Sequence, residues 1–150
     1  MKRISPVILS LCIFLLLQAF IPRYDLAAET QTLLLRIVAA EDPKTIKSQK
    51  IEITPGGFLR FRKNLSSGKS EYFSLHLSRY KELNYTGSEE SGWAEIIAAD
   101  SSVIVQTFND KKGNIDSMGV SMRIPFRNCS AEDLSMLHAQ FSQLKTASAK

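Results

Sequence analysis

The chain has 150 residues, of which 44% are hydrophobic and 23% charged, with a formal net charge of +4. That length and balance fit one globular domain and exclude a disordered, low-complexity chain. Part of the basicity is terminal: without Lys2, Arg3, Arg23 and Asp25, 16 basic and 14 acidic residues leave +2, too little for a global pull toward nucleic acid.

The first residues have the three-part form of a secretory leader. Lys2 and Arg3 precede an apolar run from Val7 to Phe20, and Leu26-Ala27-Ala28 ends on a small residue. Cleavage is expected after Ala28, with Ala19 the weaker site because Pro22 and Arg23 follow it. The apolar run is short of the roughly 20 residues that span a bilayer. Leu11 precedes Cys12, which disfavours a lipid-modified cysteine there. Residues 29–150 then form one domain, exported to the periplasm or extracellular space. Cys12 leaves with the leader, and Cys129 alone cannot close an intramolecular disulfide.

Short strands follow in order. Leu33, Leu35 and Ile37 alternate with Leu34, Arg36 and Val38, the pattern of a first strand buried on both faces. Ile51 and Ile53 alternate with Lys50 and Glu52. Pro55-Gly56 suits the centre of a type II turn. Leu59 and Phe61 oppose Arg60 and Arg62, and Phe73, Leu75 and Leu77 oppose Tyr72, Ser74 and His76. Ser78 to Gly92 is irregular and reads as a short strand with a long exposed loop. Trp93 to Ala99 and Val103 to Phe108 are strands, and Asp110 to Asn114 turns into the most regular one. There Met118, Val120, Met122, Ile124 and Phe126 alternate without a slip against polar or small partners.

That strand leads into a helix over about 130–146. Ser130 and Asp133 have capping-box spacing, Cys129 sits at the staple position, and Leu134, Leu137, Phe141 and Leu144 form one apolar stripe. The fold class is therefore mainly β: seven or eight antiparallel strands in a bent sheet or small barrel, with one C-terminal helix on the core. The element order resembles that of pleckstrin-homology-like barrels, and a leader, barrel and late helix resemble lipocalins. Gly92-Trp93 lies mid-domain, whereas the lipocalin Gly-x-Trp signature lies on the first strand, so the resemblance is one of element order.

Catalytic chemistry finds little in the sequence. Cys129 and His138 are nine residues apart, a thiol at the helix start and an imidazole two turns in. A helix N-terminus favours a thiolate, but a staple cysteine is ordinarily a small buried hydrophobe. His76 stands alone on a polar strand face, and no zinc-ligand spacing or cofactor motif is present. Glu89, Glu90 and Glu95 offer carboxylates, the first two in a polar loop.

Charge and aromatic patterning say more. From Lys44 to Lys69 there are seven basic residues and one acid, and from Glu82 to Asp110 six acids and no base. The reading that follows is an exported, non-enzymatic binding module whose partner is an unidentified protein or an anionic surface. Tyr80, Tyr85 and Trp93 would present the contact loop, helped by Arg60 and Arg62. The alternative is a carrier of a small apolar ligand or lipid in a barrel lined by Met118, Val120, Met122 and Phe126. A hydrolase using Glu95 or Cys129 is a third class.

Overall fold

The computed structural model describes residues 25–148, so most of the expected leader, Cys12 included, lies outside the described residues. The elements are α1 (Leu26–Ile37), β1 (Ile46–Ile53), β2 (Phe58–Leu65), β3 (Ser70–His76), a 3-10 turn (Leu77–Arg79), β4 (Tyr80–Gly87), β5 (Ser91–Ala98), β6 (Val103–Phe108), β7 (Asp116–Gly119), β8 (Ser121–Arg127) and α2 (Ala131–Ser148). The fold is mainly β, with eight antiparallel strands in two sheets and no closed barrel. One sheet has the order β1-β2-β3-β6-β7 and the other β4-β5-β8.

The first expected strand is a helix. Thr30, Leu33, Leu34 and Ile37 are buried while Leu35 is 63% exposed, which is helical and not alternating burial. Asp25 caps it, its carboxylate accepting the Ala28 amide at 3.1 Å. The two turns of the β1-β2-β3 meander are built alike. In the first, the Gly57 amide donates to Thr54 O and the positive φ (+80°) falls on Gly57; in the second, the Gly68 amide donates to Leu65 O and Gly68 has φ +91°. Each is a turn followed by a left-handed glycine, so the residue needing that freedom is Gly57 and not Gly56 as a type II turn would require.

The uninterrupted alternation from Ser117 to Phe126 conceals a change of sheet. β7 pairs with β6, whereas β8 pairs with β5, and the crossing falls at Val120, whose carbonyl accepts the Ala98 amide. Met122, Ile124 and Phe126 are buried; Met118 and Val120, before the crossing, are 55% and 58% exposed.

The core lies between the sheets and the two helices. Leu33, Leu34 and Ile37 of α1 and Leu137, Phe141 and Leu144 of α2 meet Phe61, Leu75, Ile96, Ile124 and Phe126 from the strands. The expected stripe of α2 is thus its buried face, with Leu134 partly buried beside it. Its N-terminus carries the reciprocal cap: the Asp133 amide donates to Ser130 Oγ and the Ser130 amide to Asp133 Oδ2, both at 3.1 Å. Arg36 of α1 reaches the same carboxylate through both Nη atoms, at 2.6 and 3.2 Å, and ties the helices together. No helix among the described residues is long and apolar enough to cross a membrane.

Candidate functional site

The stretch expected as a long contact loop is a hairpin, β4 and β5 joined by a tight turn at Ser88–Glu90. β4 breaks the alternation because its register shifts between Tyr80 and Glu82; beyond that bulge Leu83 and Tyr85 alternate with the exposed Glu82, Asn84 and Thr86. Its three aromatic candidates are therefore separated. Tyr80 is 1% exposed, packed edge-on to Phe141, with its hydroxyl 2.6 Å from Nδ1 of His138. Tyr85 points to the core side, stacks on Phe126 and donates to Ser88 O at 2.6 Å. Gly92 makes room for that ring, since a Cβ there would overlap it. Trp93 is on the opposite face, 40% exposed, with the Arg123 guanidinium over it at 5.2 Å.

Two hollows flank this hairpin. One, of about 300 Å³, lies between β4 and α2 and is lined by Leu83, Tyr85, Leu134, Ser135 and His138. The other, of about 500 Å³, brings Trp93 together with Glu41, Asp42, Thr86 and Pro125. No family model matches this chain, and no curated protein or solved structure does either.

The titratable groups near the first hollow are held by the fold. Burial pushes the Tyr80 phenol up to about 12, with the Glu82 charge adding to it. Tyr80 Oη and His138 Nδ1 share one hydrogen bond of 2.6 Å that joins β4 to α2. Cys129 is buried, and burial pushes its thiol up to about 11, outweighing the helix terminus that would favour a thiolate. His76 is taken up structurally: Nδ1 meets Ser78 Oγ at 2.6 Å and Nε2 meets the Gly56 carbonyl at 3.0 Å, tying a hairpin turn to the 3-10 turn. Glu95 accepts the Ser121 hydroxyl at 2.8 Å on the outer sheet face.

The remaining candidates are dispersed. Arg60 and Arg62 do share the outer face of the five-stranded sheet, but Arg60 leans toward Glu52 and lies over Phe58. Lys63 and Lys69, counted in the basic hairpin, are on the other side in a network with Glu41, Glu71 and Asp110. Met118 and Val120 face outward and line no interior, because the strand changes sheet between them and Met122. Met122 and Phe126 are packed to 2% and 1% exposure against the helices.

The sheet edges distinguish the β4 side from the rest. On β1, the Gln31 side chain from α1 acts as a missing strand: Nε2 donates to Ile51 O at 3.0 Å and Oε1 accepts the Ile53 amide at 2.6 Å. Gln49 in turn holds the chain at Ala39 and Glu41 beside that edge. β8 is covered by Val38, which bridges to Phe126, and by the Ala39 amide on Pro125 O at 2.8 Å. Among the described residues nothing pairs with β4 on its far side, and the other uncovered edge, β7, is only four residues long.

Proposed function

We propose that the chain is an exported, non-enzymatic binding module that receives an extended segment of a protein partner along β4. The observation that carries this reading is the contrast between edges: β1 is closed by side-chain amides, whereas the eight residues of β4 stand uncovered beside an apolar hollow. A segment pairing with β4 would gain main-chain hydrogen bonds, and its alternate side chains would drop toward Leu83, Tyr85 and Leu134. His138, held by Tyr80 at Nδ1, offers its other ring nitrogen as a polar contact at the rim. The two sheets then serve as one sheet bent at Val120 that sets β4 against α2. The leader-like N-terminus supports placement outside the cytoplasm, in the periplasm or extracellular space.

Affinity capture from the native host tests this, with Leu83→Asp and Trp93→Ala as the informative pair because the two side chains lie on opposite faces. The partner is expected to be lost on Leu83→Asp and kept on Trp93→Ala, with both variants folded. Loss on Trp93→Ala alone would move the site to the other face. A stoichiometric small molecule in native mass spectrometry would replace the protein-binding reading with the carrier.

A further inference from the structure

Among the described residues seven large hydrophobics are exposed, and four fall between Phe108 and Val120. Phe108 (43%) and Met118 (55%) are on the face turned from the core, Val120 (58%) is at the sheet crossing, and Ile115 (50%) lies opposite Thr107 and so on the other face. The other three, Leu35, Trp93 and Met136, are scattered over α1, β5 and α2. Scattered single residues need no explanation, but exposed apolar residues gathered at one end of one sheet face do.

The register shows what surrounds the set. On the face of the five-stranded sheet turned away from the core, Glu52, Arg60, Ser74, Ile104 and Met118 form one row across all five strands. Lys50, Arg62, Tyr72, Gln106 and Asp116 form the next, and Phe108 stands beside Ser70 in the row beyond. The face thus grades from basic on β1 and β2 to mixed on β6 and β7. There Phe108 on one side and Ile104 and Met118 on the other flank Gln106 and the exposed Asp116, whose carboxylate accepts from the Gln106 amide at 3.2 Å. At the tip of the β6-β7 hairpin, Lys111 and Lys112 are exposed. The one acid in that tip, Asp110, is engaged by Lys69 at 2.9 Å and by the Lys112 amide, so it does not offset them. The Lys50 and Arg60 charges meet Glu52, leaving Arg62 with the two tip lysines as cations that have no ion pair among the described residues.

We propose that this face docks the domain on a bilayer surface carrying anionic headgroups. Phe108, Met118 and Val120 enter the interfacial layer, while Lys111, Lys112 and Arg62 meet headgroup phosphates. The combination of exposed apolar and unpaired basic side chains is what such an interface binds, through buried apolar area together with attraction to anionic lipid. A second copy of the chain is the competing occupant, since a two-fold axis could set Arg62 of one copy against Asp116 of the other, and the test separates the two. A domain held this way by one sheet leaves β4, in the other sheet, to a partner.

The test places an environment-sensitive fluorophore at Met118→Cys or at Glu82→Cys of the full chain, in a Cys12→Ser background, and adds vesicles. Phosphatidylglycerol vesicles are expected to blue-shift the probe at 118 and leave the probe at 82 unmoved, so that attachment through the N-terminal segment alone is distinguished from docking of this face. Pure phosphatidylcholine should give no shift. Lys111→Gln with Lys112→Gln should weaken binding about thirtyfold, and Leu35→Ser, an equally exposed apolar change elsewhere, should leave it unchanged. No shift at 118 on anionic vesicles overturns the proposal, as does an equal shift on neutral ones. A shift that grows with protein concentration in the absence of vesicles overturns it in favour of a second copy.

Discussion

Tyr80 on β4 and His138 on α2 are joined by a hydrogen bond of 2.6 Å from the phenol oxygen to Nδ1, across the seam between the three-stranded sheet and the C-terminal helix. The bond is buried on one side and wet on the other, since Tyr80 is 1% exposed and His138 lies on the exposed face of α2. It holds the imidazole at the rim of the hollow. Burial of the same phenol raises its pKa and makes the fold sensitive to alkaline pH.

Below pH 10 the phenol is protonated in both the folded and the unfolded chain. Between 10.0, its ordinary value, and about 12 in the fold, the unfolded chain releases the proton while the folded chain holds it. Stability therefore falls as pH rises through that window, by an amount on the order of 2 kcal/mol. Tyr80→Phe should cost about 1 kcal/mol at neutral pH and flatten the loss between pH 10 and 12. Cys129, raised from 9.0 to about 11 by burial, and Tyr85, also raised by burial, leave a residual slope that begins near pH 9. Urea midpoints at pH 7, 9 and 11 measure both effects, and an unchanged alkaline slope in the variant would remove Tyr80 as its source.

At the acid end the group to watch is Asp133. The Arg36 guanidinium, and after it the Ser130 amide and hydroxyl, hold its carboxyl below the usual value of 3.8. The stabilisation is present above pH 4 or so and is lost as pH falls through the depressed value, because the unfolded chain takes up the proton first. Asp133→Asn should remove that acid limb, and Ser130→Ala should cost about 1 kcal/mol through the cap. A pH series of thermal midpoints separates the two, since the Asn variant abolishes the acid limb whereas the Ala variant keeps the Arg36 contribution and loses only that of the Ser130 hydroxyl.

Phe141 and Leu137 are fully buried, and Phe141 meets the Tyr80 ring edge-on at 5.3 Å. Phe141→Ala should cost about 3–5 kcal/mol and Leu137→Ala about 2–5 kcal/mol. Denaturant midpoints that barely move would mean that α2 is not part of the core.

Gln31→Ala should do more than weaken the fold. It strips two hydrogen bonds from Ile51 and Ile53 and exposes a strand edge that α1 otherwise closes. The expected outcome is a modest fall in midpoint, about 1–2 kcal/mol, with new concentration-dependent association in sedimentation velocity. A variant that stays as monodisperse as the parent would show that the edge needs no cover.

The part of the fold that could be read in advance is the part whose local signals agree. For α2, the cap, the staple cysteine and the apolar stripe all point to one helix, and Ser130, Asp133, Cys129, Leu137 and Phe141 take the places that pattern assigns. α1 was hidden by an ambiguity of six residues. Leu33 to Val38 satisfies both a doubly buried strand and a helix, and the deciding signals, the Asp25 cap and the i, i+4 relation of Thr30 to Leu34, start inside the segment assigned to the leader. The eight strands match the expected count for a partly different reason: one expected strand is α1, and one long strand is β7 and β8. Alternation cannot show a change of sheet, because the period of two continues through Val120 while the face it reports goes from solvent to core. The candidate contact residues suffered from the same limit. Tyr80 and Tyr85 face the core side, Trp93 faces out, and only the pairing of β4 with β5 reveals it.

The proposed export makes the sharpest demand on α1. The expected cleavage site after Ala28 lies in its first turn, where Ala28 donates to Asp25, Thr30 Oγ to Leu26 O at 2.7 Å and Thr32 Oγ to Ala28 O at 2.9 Å. A peptidase needs that backbone extended, so removal of the leader has to precede folding of the helix. The cut would leave Glu29 to Ile37, keeping the buried Leu33, Leu34 and Ile37, the Gln31 cover on β1 and the Arg36–Asp133 pair. It would discard the Asp25 cap, a loss of about 1 kcal/mol. N-terminal sequencing of exported protein is therefore expected to begin at Glu29, while folded full-length chain offered to signal peptidase stays intact. Recovery of an intact Met1 terminus in the membrane fraction of the host would overturn the exported, processed form and leave α1 whole, with its capped first turn following directly on the retained segment.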